Sequence, residues 1–390
     1  VVILAAVARL AVVARGSGSL DDPDNYLPLA RSLAEGRGFA LKGRPTANRP
    51  PFYPLVLAPI AASCGANVAW GVAALHVSLG AGTVFLTART ARRWGLSENR
   101  ALLAGAIVAL DPVLLSQARG VMTEPLAAFL VAGAMYALAG EGARASCAGG
   151  LFCGLAALTR PSLLPFAGLT TLAALVARPG ILRERLKRGA IIAGTTAVVL
   201  LPWGLRNALV FGEPIVTTTH GGYTLALANN ATYYDDVLHG PAGSVWSGPR
   251  QFAWFARVNT ELSGLSEPEA DRRLRAEAIA IIRERPSDFL LAALARLGRF
   301  WGLAPSGAVY PRSLRIASAV WTVPLWLAAA AGVSAGCIWK WPRVVAPTAI
   351  LALTLVHVAY WTDLRMRAPI VPAIALAAAS AQRAVRGREP

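Results

Sequence analysis

The stretch SLDDPDNYLPLA, residues 19–30, places three carboxylates, Asp21, Asp22 and Asp24, directly after an apolar N-terminal run. A fourth acid, Glu124, stands in RGVMTEPLAAFL, and a late loop reads YWTDLRMRAPIVP with Asp363, Arg365 and Arg367. A carboxylate held against an attacking hydroxyl can take its proton. Alternating arginines at headgroup depth suit a phosphate, because the planar guanidinium matches its oxygens. Lys42, Arg49 and Arg206 add cations from other segments. Acids and cations distant in sequence together suggest an acid/base group facing a phosphorylated ligand.

Plainer readings stand beside these. Asp22-Pro23 makes an N-cap with proline in the first turn, although Pro28 moves the helix start toward 25–27. Capping needs one aspartate, which leaves the others unexplained. Glu124 before Pro125 suits a helix dipole, and Asp111-Pro112 reads as a helix terminator. Arg160 in LTRPSLLPF either snorkels or binds an anion. Asp363 and Arg365 could simply pair at a membrane surface. His76 and His357 lie in apolar runs and read as packing residues, and His220 and His239 lack metal-like spacing. Asn230-Ala231-Thr232 matches a glycosylation sequon, a short pattern that recurs by chance.

The elements that must hold these residues are membrane helices. Of 390 residues, 55% are hydrophobic and only 15% charged, against ~25% charged in soluble domains. The mean hydropathy is +0.49. Apolar runs recur along nearly the whole chain without the two-residue alternation of a barrel strand, so the expected class is an all-α polytopic membrane protein. The chain opens at Val1 inside an apolar run, so further N-terminal residues are expected upstream. A net charge of +17 would suggest nucleic acid in a soluble protein. Here the excess sits in short loops, where it orients the chain, and no nucleic-acid partner is expected. The four cysteines, Cys64, Cys147, Cys153 and Cys337, show neither zinc spacing nor a disulfide framework.

Basic clusters set the topology. They are Arg89, Arg92, Arg93 and Arg100; Arg178, Arg183, Arg185, Lys187 and Arg188; Lys340 and Arg343; and Arg383, Arg386 and Arg388. With all four cytoplasmic, residues 16–67, 116–124, 205–315 and 362–367 lie outside. Helices 147–159 and 161–177 then turn outside near Arg160-Pro161. Segment 289–304 must lie along the membrane surface, since both its flanks are outside. Ser266-Glu267-Pro268-Glu269 reads as a capping box, Leu274, Ala278, Ile281 and Ile282 form one stripe, and Pro286 stops that helix. About ten spans result. Residues 1–204 form an N-terminal transmembrane module, 205–315 an external region with amphipathic helices, and 316–390 the C-terminal helices.

Asp22 four residues before Tyr26, followed by a leucine/alanine helix and RPPFYP with Tyr53, resembles the first external loop of GT-C glycosyltransferases. The branch it resembles most contains protein O-mannosyltransferases and lipid A aminoarabinose transferases. MTEP at Glu124, TRP at Arg160, PWGLRN at 202–207, Asn229-Asn230, RERPSDFL and RMRAPIVP continue the likeness in order over most of the chain. Each motif is loose alone; the ordered set is specific. The chain departs in its shortness and in having Asp21 before, and Pro23 after, the loop-one aspartate. Which of Asp21 and Asp22 would be catalytic is therefore open, with the register to Tyr26 favouring Asp22 and Asp24 left to capping.

The resemblance implies a GT-C-like bundle with a small external helical cap, in a bacterial cytoplasmic membrane with the site facing outward. It implies an inverting transferase that takes a sugar from a polyprenyl-phosphate-linked donor to an acceptor hydroxyl on a glycan, lipid or protein. Asp22 would be the base, with Glu124 orienting it or the acceptor. Arg365, Arg367, Arg206, Lys42 and Arg49 would hold the donor phosphate, and Tyr26, Tyr53, Arg160, Asn229 and Asn230 would line the substrate pocket. Two acids could also hold a divalent ion, a point decided by the fold. Competing readings are an O-antigen ligase- or polymerase-like enzyme, and a lipid-linked sugar transporter or flippase. The first lacks the loop-one aspartate with RPPFYP. The second predicts internal repeats and mid-membrane polar residues, neither of which the sequence shows.

Overall fold

The computed structural model describes residues 1–15, 20–241, 244, 246–306 and 310–381; Ser19 and the tail arginines Arg383, Arg386 and Arg388 lie outside them. Helix α1 (Val2–Ala14) precedes α2 (Tyr26–Ala34), a small antiparallel pairing of Ala40–Leu41 with Arg44–Pro45, and α3 (Phe52–Cys64). Next come α4 (Val68–Arg93), α5 (Glu98–Leu110), α6 (Pro112–Ser116), α7 (Glu124–Leu138), α8 (Gly142–Thr159) and α9 (Leu164–Val176). The long α10 (Leu182–Phe211) leads into α11 (Gly221–Ala228), α12 (Ala231–Val237), α13 (Pro249–Glu261), α14 (Glu267–Glu284) and α15 (Pro286–Phe300). Then α16 (Arg312–Ser334), α17 (Val345–Ala359), a 3-10 run over Leu364–Ile370 and α18 (Val371–Ser380) follow.

The chain is a multi-pass helical membrane protein. Among the described residues three stretches, Phe52–Arg93, Leu182–Phe211 and Arg312–Ser334, are long and apolar enough to cross a bilayer. Shorter apolar helices pack between them, and α7 is buried on nearly every side. Small residues let the helices close up, as they must where lipid offers no hydrophobic drive. A β-carbon at Gly150 of α8 would fall 2.5 Å from the Ile192 carbonyl of α10. α10 in turn leaves Val198, Leu201, Leu205 and Leu209 exposed to lipid.

The bundle has two chemically different ends. At one, the basic turns meet: Arg343 donates to the Trp94 carbonyl, Arg178 lies 4.9 Å over the Trp341 ring, and Arg93 lies 3.7 Å over Tyr136. At the other, the Val121 amide donates to the Asp21 carbonyl at 2.8 Å, joining the first loop to the turn before α7. The turn after α8 and the 3-10 run after α17 close on the same place through Arg160 and Arg365.

Helices α11 to α15 build a core of their own. Tyr233, Tyr234, Trp246 and Trp254 are buried with Leu274 and Ala278 of α14 and Ala292 of α15. α14 starts on the expected Ser266/Glu269 capping box, and Pro286 opens α15. α15 buries Ala292, Ala293, Arg296 and Phe300 and exposes Leu290, Leu291 and Leu294, the pattern of a helix lying in a membrane interface.

Candidate functional site

The first loop departs from simple capping. α2 begins at Tyr26 after Asn25 in the left-handed region (φ 59). Asp22, one turn upstream, accepts from the Tyr26 amide at 3.0 Å on Oδ1 and from the Leu27 amide at 2.8 Å on Oδ2. Asp22 thus satisfies orphan donors of the helix, whereas Asp24, expected to cap, instead pairs with Arg49 at 2.8 Å. Two amides fix the Asp22 carboxylate while each oxygen keeps a second lone pair for another donor. Burial pushes its pKa above the ordinary aspartate value, helped by Asp24 and opposed by the two amides and Arg49. Asp21 contributes its backbone to the Val121 contact and leaves its side chain exposed.

Glu124 opens α7 and is 1% exposed. Arg160 meets it at 2.9 Å through Nη1, and the same Nη1 reaches Thr123 Oγ1 at 2.9 Å. Arg365 Nε stands 4.0 Å from Glu124 and 3.3 Å from Asp363, whose Oδ1 also accepts from the Arg365 amide. Burial works against the Arg365 charge, yet Glu124, Asp363 and Asp24 outweigh it and raise its pKa. The Met366 and Met122 sulfurs accept from Arg160 and Arg365. Asp22, Asp24, Glu124, Asp363, Arg49, Arg160 and Arg365 therefore form one neighbourhood from four separated segments.

Tyr26 and Tyr53 pack edge-on at 5.3 Å, and the Tyr53 hydroxyl pairs with His76 Nε2 at 2.8 Å, giving that buried histidine a partner. A cavity of ≈ 380 Å³ opens beside the cluster, lined by Gln117, Arg299, Tyr310, Asp363, Arg365 and Arg367, among others. Its volume lies in the usual range for ligand sites, about 300–1,000 Å³.

The remaining expected residues have other partners or stand apart from the cluster. Arg206 donates to the Thr46 and Phe39 carbonyls and so pins the first loop to α10. Arg367 lines the cavity but spends Nη1 on the Gly302 carbonyl at 2.6 Å. Lys42 is exposed in the small hairpin, with φ 52. Asn229 is fully buried, bonded to Ala359 and Leu225 carbonyls and to Tyr234 and Arg296; Asn230 caps α12 through Tyr233 N. Asn230, the sequon asparagine, is itself buried and so is not presented for a glycan. Arg299 was not singled out from the sequence. Its signal was available: Arg296 and Arg299 stand in an otherwise apolar amphipathic helix, where a charge is expensive.

Among the described residues no group of three or more histidine, cysteine, aspartate or glutamate side chains converges as a metal set.

The family model for dolichyl-phosphate-mannose-protein mannosyltransferases matches residues 58–211. No curated protein matches the chain significantly. Among solved structures, the chain is similar to the archaeal oligosaccharyltransferase AglB from Archaeoglobus fulgidus, in complex with an inhibitory peptide and a dolichol-phosphate. The TM-score is 0.57 at 14% identity, over 99% of this chain and 50% of that one. The same oligosaccharyltransferase tethered to an acceptor peptide gives 0.57 at 13% identity, over 99% and 49%. ArnT from Cupriavidus metallidurans bound to undecaprenyl phosphate gives 0.49 at 17%, over 98% and 77%. The chain thus shares the helical fold of AglB and spans about half its length. The mannosyltransferase family model agrees, over residues 58–211, with the resemblance carried by the motifs.

Proposed function

We propose that this chain is an inverting glycosyltransferase that moves a sugar from a polyprenyl-phosphate-linked donor to an acceptor hydroxyl. The observation that carries this reading is the Glu124–Arg160–Arg365 cluster beside the 380 Å³ cavity, with the Asp22 loop joined to it by the Val121–Asp21 backbone bond and by the charge of Asp24 acting on Arg365. The AglB structure holds a dolichol-phosphate in the same fold, which supports a lipid-phosphate donor.

In this reading Asp22 accepts the proton as the acceptor oxygen attacks the anomeric carbon. The bond from that carbon to the phosphate oxygen breaks on the opposite face, and polyprenyl phosphate leaves. The leaving group gains negative charge, so it needs fixed cations and no proton. Arg365, Arg299 and Arg367 at the cavity wall supply them. Glu124 fixes Arg160 and Arg365 and so sets where the phosphate sits. Asp22 rather than Asp21 is taken as the base, because two helix amides hold the Asp22 carboxylate in place whereas the Asp21 side chain is exposed. In this reading the basic end is cytoplasmic, in keeping with the positive-inside rule, and the reaction runs on the outer face of a bacterial cytoplasmic membrane. There a flipped lipid carrier is the sugar donor at hand. The chain divides, in this reading, into an N-terminal module 1–204, an external region 205–315 that contributes Arg299, Pro305 and Tyr310 to the cavity wall, and C-terminal helices 316–390.

Mass spectrometry of envelope glycans, lipids and proteins from a deletion strain tests the reading and identifies sugar and acceptor together. Loss of one sugar, restored by the wild-type gene, supports it. An unchanged envelope, with no polyprenyl phosphate released by purified protein, would sink it.

A further inference from the structure

The largest cavity among those described above and here lies far from the acid cluster, at the basic end. It is a groove of ≈ 700 Å³ between α4, α7 and α8, walled by Phe85, Phe129, Phe152 and Ala148 and ending at Tyr136 and Arg93. Glycines shape it. A β-carbon at Gly82 would come within 2.8 Å of the Phe129 ring, and one at Gly133 within 2.5 Å of Phe152, so both rings pack directly against glycine positions of the helices. Phe85 stands half-exposed on the open side.

Arg93 closes the groove with its guanidinium 3.7 Å over the Tyr136 ring and Nη1 on the Tyr136 carbonyl at 2.8 Å. It has no ion-pair partner among the described residues, and Glu141 on the same lip is not within pairing distance. Arg89, Arg92 and Arg144 are exposed on the adjoining turns, so the lip is basic. Gly82 and Arg93 are separated by roughly 16 Å along α4 at the helical rise. That is close to half of the ~30 Å hydrocarbon thickness. The groove therefore has the depth of one leaflet, with a cation at headgroup level and aromatic faces along the acyl region.

We infer that this groove is a binding site for an anionic glycerophospholipid of the leaflet at the basic end, its phosphate on Arg93 and one acyl chain against Phe85, Phe129 and Phe152. Charge complementarity selects the anionic class, since basic pockets between membrane helices hold such headgroups. The inference does not depend on the proposed transferase activity.

Native mass spectrometry of the purified full chain in detergent, titrated with dioleoyl phosphatidylglycerol or dioleoyl phosphatidylcholine, tests it. The wild type should retain phosphatidylglycerol about fivefold more strongly, as expected for one arginine near an anionic headgroup. Arg93→Gln should remove that preference and Arg93→Lys restore most of it. Ala148→Trp, which fills the groove from a partly exposed position, should weaken retention of both lipids while the thermal midpoint holds. Equal retention of the two lipids by wild type would overturn the inference. So would displacement of phosphatidylglycerol by sub-stoichiometric undecaprenyl phosphate, or a dimer that Ala148→Trp disperses.

Discussion

The two ends of the bundle use arginine in opposite ways. At the basic end, Arg93 and Arg178 stack on Tyr136 and Trp341, and Arg343 holds a backbone carbonyl; their charge faces headgroups and water. At the site end, Arg49, Arg160 and Arg365 are each matched to a carboxylate, and Glu124 among these is almost wholly buried. A stacked surface guanidinium costs little to place and contributes little when removed. A buried pair is held only by its partner, so deleting one member exposes the full desolvation penalty of the other. The difference separates charge that orients a protein from charge that arranges a reaction.

That contrast can be broken or sharpened, beginning with the largest effect. Asp22→Asn keeps an acceptor oxygen for one helix amide but cannot take a proton, so turnover should fall about 10²- to 10⁴-fold. Polyprenyl-phosphate binding should survive, read by the same lipid titration in parallel. Turnover within a few-fold of wild type would remove Asp22 from the reaction.

Next in size is the buried pair. Glu124→Leu alone should lower stability by about 3–5 kcal/mol, the usual cost of stranding a buried charge. Combining it with Arg160→Met should recover most of that loss in detergent melting curves without recovering transfer. Additive losses would mean that the two side chains do not act as a pair.

The acid limb of the pH profile is a smaller effect with a definite sign. Burial raises the folded pKa of Asp22, so its protonated form favours the fold. Its contribution to stability therefore declines as pH rises from the unfolded value, about 3.9, through the raised folded one. Catalysis runs the other way: kcat/KM should rise with pH through that same folded value. An acid limb at the ordinary aspartate value, or one unchanged in Asp22→Asn, would contradict the assignment.

Arg299→Gln should weaken donor binding about tenfold, the order expected for one charge-assisted hydrogen bond, with the melting curve showing whether its bonds to Tyr233 and Ser244 matter more. Smallest of all, Arg178→Gln at the basic end removes a cation–π contact and should cost about 0.5–1 kcal/mol, with transfer unchanged. A large loss of transfer from that substitution would erase the distinction between the ends.

Much of this organisation was legible in the sequence. Apolar runs and clustered arginines define helices and their two ends because lipid forbids unpaired backbone and charge wherever they fall. Ser266 with Glu269, and Pro286 after Arg285, mark α14 and α15 through local hydrogen bonding alone. MTEP, TRP and RMRAP pointed to Glu124, Arg160 and Arg365, and the structure brings all three within one cluster.

Other assignments needed the tertiary structure. Equal-looking aspartates at 21, 22 and 24 became a backbone contact, a doubly bonded carboxylate and an ion pair, since amide direction and the position of Arg49 depend on the chain's path. Arg206 and Asn229, picked out by motif, each donate to carbonyls of distant segments, contacts that no local pattern encodes. For Arg299 the sequence offered only a charge in an apolar stretch, and its place at the cavity came from the packing of α15. The sequence determines which charges the membrane must accommodate; only the packed helices decide which of them remain open to a substrate, because a partner hundreds of residues away can claim every bond a side chain has to offer.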